Sequence, residues 1–366
     1  MQLVKAPRDA LLRPLQVVGG IVERRQTLPI LANVLLRRDG ERLSFTATDL
    51  EIQIETGADL CSGKDSAATT VSARKLLDIL RALPDDEVNL SLLNRRLTVQ
   101  CGRSRFNLQT LAAEEFPTVT QAEFNVDFTL PAAAFKHLLS MVHFAMAAQD
   151  IRYYLNGMLL VCEGNRVRAV ATDGHRLALC ETTREGESAA VEVIIPRKTV
   201  LELARLLPEG DEPVRIQIAS GQVRLSFGAV EFVSKLVEGK FPDYVKVIPA
   251  ANPKQFVIGR ESLMQALSRV AILTTDKFKG VRCVLAPGSL KISSTNTDQE
   301  EAQEEIEIDY SGEALDIGFN VTYLLDVLAN LKSEQLHFAY GDALGSALVT
   351  LPDSDRFKYV VMPMRI

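Results

Sequence analysis

The chain has 366 residues, 47% hydrophobic and 24% charged, the balance of a packed protein with enough length for two or three domains and not that of a disordered chain. No apolar run approaches the eighteen or so residues of a membrane span, and the start MQLVKAPRDALLRPL has no signal-peptide core, so no membrane contact and a cytoplasmic location are expected. The formal net charge of −6 excludes a surface that is basic throughout, so contact with nucleic acid would need positive charge gathered on one face.

Along the chain, Leu11, Leu15 and Val18 are spaced i, i+4, i+7 and predict a first helix with one apolar stripe. LSFTATD (Leu43 to Asp49) reads as a strand running into a turn. LLDILRAL (Leu76 to Leu83) is a second amphipathic helix, and RLTVQC and RFNLQTL are half-buried strands. The same order then returns. Phe135, Leu139 and Val142 repeat the first stripe 124 residues on, VRAVATD (Val167 to Asp173) repeats the strand, and VLELARLL (Val200 to Leu207) repeats the second helix. The strands VRIQIA, QVRLSF and FVSKLV follow. A third copy brings Leu263, Leu267 and Val270, a weaker strand match in LKISSTN (Leu290 to Asn296), and LLDVLANL (Leu324 to Leu331), 124 residues after its predecessor. EEFPTV near Phe116 is answered by GKFPDY near Phe241.

Two helices with several strands in each ~120-residue copy predict an α+β fold of three similar domains, with helices packed on antiparallel sheet. The domains are expected at 1–124, 125–250 and 251–366, with linkers near 120–127 and 245–255. Equivalent domains docked rigidly in one rotational sense curve, and they close into a ring if the rotation allows. The two ends carry opposite charge. Arg95, Arg96, Arg103 and Arg105 form a basic stretch beside Phe106 and Leu108, whereas the segment from Asp298 to Asp309 is acidic without a base. A head-to-tail dimer is therefore expected. In it Arg96, Arg103, Arg105, Phe106 and Leu108 of one chain would meet Ile272, Leu273, Glu300, Glu301 and Glu304 of the other, covering two sheet edges.

The repeat, together with RYYLNGML (Arg152 to Leu159), VATDGHRLA (Val170 to Ala178), FPDY (Phe241 to Tyr244), GFNVTYLLDVL (Gly318 to Leu328) and the terminal YVVMPMRI, resembles the bacterial sliding clamp family, the beta subunit of DNA polymerase III. The resemblance covers the whole chain. It implies a six-domain ring of two chains around double-stranded DNA, held without sequence-specific contacts. Twelve helices of ~10 Å side by side would leave a hole of about 28 Å, wide enough for a hydrated duplex. Cations at a helix start oppose the macrodipole, so Arg74 and Lys75, matched by Arg197 and Lys198, point to phosphate contact rather than helix stability. Arg24 and Arg25 after the first helix, and Gln149, Arg152, Tyr153 and Tyr154 in a loop, complete the DNA-facing set that the resemblance supports.

The apolar, Met-rich terminus suits an adaptable surface for several partners. The resemblance implies a groove there for short linear peptides of the replicative polymerase, the clamp loader and repair polymerases. Leu155, Thr172, Gly174, His175, Arg176, Leu177, Pro242 and Val247 match it from the middle of the chain. Asn320, Tyr323, Ser346, Val360, Met362, Pro363 and Met364 match it from the last third. Lys246, Leu344 and Ile366 depart from the family pattern in size or donor geometry, which bears on peptide preference.

No catalytic residue, cofactor or metal site is expected. Asp173 and His175 lie in a Thr-Asp-Gly-His turn with no nucleophile placed by a motif. His137, His143 and His337 lack ligand spacing, and Cys61, Cys101, Cys162, Cys180 and Cys283 form no C-x-x-C pair. An enzyme with a site between repeats would show activity and a bound cofactor. A scaffold of the same architecture that ignores DNA would not be retained on circular DNA.

Overall fold

The computed structural model describes residues 1–23, 28–120, 122–275 and 278–366. The predicted stripes fall on six helices: α1 Arg8–Gly19, α2 Ala73–Ala82, α3 Ala132–Val142, α4 Arg197–Leu206, α5 Arg260–Val270 and α6 Val321–Asn330. Leu11, Leu15, Val18, Phe135, Leu139, Val142, Leu267 and Val270 are fully buried, and Leu263 nearly so. Each such side chain contributes about 1.5–3 kcal/mol through burial. Ser72 caps α2 by accepting from the Lys75 N–H at 3.4 Å, and Asn320 caps α6 by accepting from the Thr322 N–H at 3.0 Å.

The threefold repeat has a structural signature at the start of each first helix. The N–H groups of Arg8, Ala132 and Arg260 donate to the carbonyls of Asp86, Glu212 and Glu334, each at 2.9 Å. In every copy this bond ties the first helix to the segment that follows the second. Otherwise unpaired donors of the first turn are thereby satisfied in the same way three times.

All strand pairings are antiparallel, and the sheets run through the repeats. A twelve-stranded sheet begins Gln2–Pro7, Glu87–Leu93, Arg96–Cys101, Ser104–Leu111, Ser66–Ser72, Asn33–Asp39, Arg42–Thr48, Ile52–Asp59. It continues without a break into second-copy strands Val230–Lys235, Gln222–Phe227, Pro213–Ile218 and Val126–Pro131. A six-stranded sheet joins the second and third copies in the order Gly157–Thr172, Arg176–Pro196, Ser354–Val361, Ala347–Leu351, Gln335–Tyr340, Lys254–Gly259. Glu301–Glu307, Ser289–Thr295, Gly280–Ala286 and Leu315–Asn320 make a four-stranded sheet.

The two junctions between copies follow one rule. Phe232 stands opposite Ile54 in the first, and Tyr359 stands opposite Ala178 in the second. Both aromatic side chains are fully buried. Because the sheets cross the copies, compactness divides the chain differently from repetition. One unit comprises Met1–Ala133 with Glu202–Leu236, and the other Ala134–Leu201 with Val237–Ile366.

Candidate peptide pocket and DNA-facing residues

Within the second unit, the hairpin of Gly157–Thr172 and Arg176–Pro196 turns at Asp173, Gly174 and His175. Asp173 Oδ1 accepts from the N–H groups of His175 at 2.9 Å and Arg176 at 3.0 Å. Thr172 Oγ1 accepts from the Gly174 N–H at 3.0 Å and donates to the Arg176 carbonyl at 2.6 Å. Gly174 takes φ 90, a left-handed conformation that suits glycine. The strand Ser354–Val361 adds on beside this hairpin, placing Val360 opposite Leu177. Beyond it, the Met362 N–H donates to the His175 carbonyl and the Met364 N–H to the Gly318 carbonyl, both at 2.9 Å. The first bond straps the tail to the turn and the second ties it to the strand Leu315–Asn320.

These elements enclose a cavity of about 200 Å³ lined by Leu155, Thr172, Gly174, His175, Arg176, Leu177, Pro242, Val247, Val360 and Met362. All ten belong to the expected peptide set. Arg152 and Tyr154, expected to face DNA, border the same cavity, and so does Tyr244, which sequence reasoning missed. The repeated FPDY motif contained the clue, because Tyr244 has no aromatic counterpart in FPTV. The wall is largely apolar, with Leu155, Leu177 and Val360 almost fully buried and Val247 and Met362 more than 40% exposed, so apolar side chains of an incoming segment find both a floor and an accessible rim.

Arg176 forms the boundary between this cavity and an open hollow of about 850 Å³. Its side chain is 9% exposed, pairs with Asp173 at 3.1 Å and Asp326 at 2.5 Å, and lies 4.5 Å over the Tyr323 ring. Tyr359 Oη donates to the Tyr323 carbonyl at 2.8 Å and braces the same corner. Tyr323 therefore borders the hollow and not the smaller cavity. Met364 lies with Leu273 and Ile366 along a third recess, of about 340 Å³. Asn320 serves as the α6 cap, and the Ser346 carbonyl accepts from Asn252 Nδ2 at 3.0 Å. Pro363 is half-buried in the tail between Met362 and Met364.

The expected DNA-facing residues differ in how free they are. Arg74 and Lys75 are exposed at the α2 start. Arg197 is half-buried, and its Nη1 donates to the Met146 carbonyl at 3.1 Å. Burial, and then the nearby Arg176 charge, hold its pKa below the usual arginine value. Lys198 is half-buried beside it. Arg152 is exposed yet clamped by Asp150 at 3.0 and 2.8 Å and by the Asp173 carbonyl at 3.1 Å. Those bonds from Arg152 lower the Asp150 pKa to about 2. Gln149 is exposed at φ 59, and Tyr153 is 57% exposed with its ring edge-on to Tyr154. Arg24 and Arg25 lie outside the described residues.

Of the expected dimer residues, Arg105, Phe106 and Leu108 lie on the part of Ser104–Leu111 ahead of its short pairing with Ser66–Ser72, Glu301 and Glu304 lie on the edge strand Glu301–Glu307, and Ile272 and Leu273 lie in a 3-10 turn after α5. Arg96, Arg103 and Arg105 are exposed, Phe106 is 37% exposed, and Leu108 is half-buried on Ser104–Leu111. Ile272 is 76% exposed, with Leu273 half-buried beside it. Glu300 accepts from Asn296 Nδ2 at 2.6 Å, and Glu301 is exposed. Glu304 is already engaged: Arg269 on α5 donates to both its oxygens at 2.6 and 2.7 Å and lowers its pKa. Among the described residues no three His, Cys, Asp or Glu side chains gather as a metal site requires. No helix among them is long and apolar enough to cross a membrane.

Three family models cover the chain in sequence: the N-terminal, central and C-terminal domains of the DNA polymerase III beta subunit, at residues 3–120, 129–243 and 245–365. The chain is 48% identical to the beta sliding clamp of Pseudomonas aeruginosa and 46% identical to that of Escherichia coli K12, over 98% of each chain in both cases. Its structure matches the crystal structure of the P. aeruginosa DNA polymerase III subunit beta at a TM-score of 0.96, with 47% identity and complete coverage of both chains. A P. aeruginosa clamp bound to griselimycin matches at 0.96 with 48% identity over 99% of each chain. With its threefold α+β architecture matched from end to end, the chain belongs to the DNA polymerase III beta subunit family, the bacterial sliding clamps.

Proposed function

We propose that two copies of this chain close head to tail into a ring around duplex DNA, and that the 200 Å³ cavity takes the short peptide segments of polymerase, clamp loader and repair proteins. As a member of the sliding clamp family the chain works in DNA replication as a processivity subunit and not as a catalyst. The domains of the ring are 1–124, 125–250 and 251–366, and its place of work is the cytoplasm. Arg24, Arg25, Arg74, Gln149, Arg152, Tyr153, Tyr154, Arg197 and Lys198 face the DNA, the cations toward phosphates and the polar and aromatic loop tips toward the backbone or an exposed base. Arg152 can meet a phosphate only by giving up part of its hold on Asp150, so its contact is an exchange of partners. Diffuse, exchangeable contacts of this kind permit sliding.

One observation carries the ring. Both internal junctions bury an aromatic residue opposite one position of the neighbouring strand, Phe232 opposite Ile54 and Tyr359 opposite Ala178. Phe106 follows Gly102 by four residues as Phe232 follows Gly228, both glycines at φ 53, yet Phe106 is 37% exposed. At the other end, Thr295 pairs with Glu301 as Thr48 pairs with Gln53 and Thr172 with Leu177, which makes Ala302 the counterpart of Ile54 and Ala178. A second chain that sets Ala302 opposite Phe106 repeats the internal junction and brings Arg103 opposite Glu305. Glu304 contributes through its pair with Arg269 rather than as a free charge.

The test is topological. The protein, loaded on a nicked circular plasmid with a clamp loader and ATP, is expected to co-elute with DNA through gel filtration and to be lost once the plasmid is cut. Retention on the linear form, or none on the circle, refutes the ring.

A further inference from the structure

Tyr244, the wall of the pocket that sequence reasoning missed, is held from behind. Arg168 Nη1 donates to Tyr244 Oη at 2.9 Å, and Arg168 Nε and Nη2 donate to Glu181 Oε2 at 3.0 and 2.7 Å. Arg168 and Glu181 are direct cross-strand partners. Strand alternation puts them on the face that also carries Val170 and Thr172 on one strand and Leu177 and Leu179 on the other. The pocket therefore lies at one end of this face and the ion pair at the other. Tyr244 spans the two, its ring lining the cavity and its hydroxyl fixed by Arg168. The pair is partly shielded, at 21% and 20% side-chain exposure, so the contact is screened less than a surface salt bridge.

The first copy shows what the fold needs without this network. The residues 124 positions earlier than Arg168 and Glu181 are Ser44 and Gly57, and the FPTV segment puts Val119 where FPDY has Tyr244. The hairpin and its turn form there regardless, with Ser44 paired to Gly57 in the same register. Arg168, Glu181 and the Tyr244 hydroxyl are thus dispensable for building the hairpin. They occur together where the cavity lies.

We infer that Arg168 and Glu181 are positioning residues for the peptide pocket, fixing the Tyr244 ring so that the cavity keeps its shape when empty. This rests on the reading of the cavity as the peptide site. A ring held by a charged donor does not have to be ordered by the incoming segment, which spares the complex that entropy.

The full-length dimer and a fluorescein-labelled peptide copied from the clamp-binding segment of the replicative polymerase provide the test, read by anisotropy. Arg168→Met with Glu181→Gln, which leaves no orphan carboxylate, and separately Tyr244→Phe, are each expected to weaken binding about five- to tenfold. The combined variant is expected to lose no more than the weaker of the two, because all three changes break one chain of contacts. Arg168→Lys, which can still donate, should recover part of the loss. Unchanged affinity in the variants while the wild-type protein binds overturns the inference and leaves the pocket reading standing. Losses that add in the combined variant also overturn it, since they mark separate structural damage. Failure of the wild-type protein to bind overturns both.

Discussion

Leu50 and Gly174 hold the same place in the same turn, at φ 77 and 90. In each turn a threonine Oγ accepts the N–H of this residue, Thr48 from Leu50 at 3.1 Å and Thr172 from Gly174 at 3.0 Å. An aspartate follows that threonine in each case and accepts from the next two N–H groups, Asp49 from Glu51 and Ile52, and Asp173 from His175 and Arg176. Leucine thus occupies a backbone conformation that usually favours glycine. A Cβ at 174 would come 2.9 Å from Arg152 Nη1, the far end of a flexible side chain at the edge of the cavity, which would have to shift.

Gly174→Leu is therefore expected to fold, at a cost of about 1 kcal/mol from the left-handed backbone, and to lose peptide affinity by tenfold or so because the side chain enters the cavity rim. Anisotropy with a polymerase-derived peptide checks the affinity, and sedimentation checks that the dimer persists. Undiminished binding would mean that peptides do not use this cavity.

Ring closure is expected to follow the internal register. Cysteines introduced by Phe106→Cys and Ala302→Cys should cross-link two chains under mild oxidation, as a band at twice the monomer mass. Cross-linking that instead prefers Phe106→Cys with Glu300→Cys or Glu304→Cys would place the edges two residues out of step. Phe106→Ala should raise the dimer dissociation constant about a hundredfold, since two symmetry-related junctions each lose most of an aromatic side chain.

Arg152 lowers the pKa of Asp150 to about 2 from an ordinary 3.8. A carboxylate whose folded pKa is depressed stabilises the fold fully above its unfolded pKa, and that contribution is lost as the pH falls through the folded value. The Asp150–Arg152 pair should therefore persist unchanged from neutral pH down to about 4 and open only between there and about 2. Arg152→Ala should return Asp150 to the ordinary carboxylate range in a carboxyl-carbon NMR titration. An Asp150 that still titrates near 2 in the variant would assign the shift to another group.

Burial raises the thiol pKa values of Cys162 to about 11 and of Cys180 and Cys283 to about 12. Cys61 is raised less, by burial against a lowering by Arg38, and is the more exposed thiol. Iodoacetamide at pH 8 should accordingly label Cys61 first in the native protein, with Cys162, Cys180 and Cys283 labelled only after denaturation. Mass spectrometry of partially labelled protein reads the order directly, and early labelling of Cys180 would contradict it.

Much of this fold was legible because helix stripes and strand turns depend on residues close in sequence. Leu11, Leu15 and Val18 report one helix face whatever lies across from it, and their repetition gave the three copies. The pocket residues came from long motifs of a resembling family. What escaped was decided by distant partners. Tyr244 matters to the cavity through Arg168, 76 residues earlier, and Glu304 is withdrawn from the acidic edge by Arg269, 35 residues earlier. Nothing local in either segment announces such a partner. The register that places aromatic residues opposite Ile54 and Ala178 is likewise a property of pairing.

The sheets that run unbroken through the junctions also limit how the chain can be dissected. A fragment cut at the repeat boundaries, such as 125–250, would strip Val230–Lys235 of Ile52–Asp59 and Arg176–Cys180 of its partners on Ser354–Val361. Two bare rows of amide and carbonyl groups would then face water, an invitation to promiscuous pairing. The thermodynamic grain of this chain runs across its duplication grain, and an excised repeat should aggregate where a self-contained module would stay soluble.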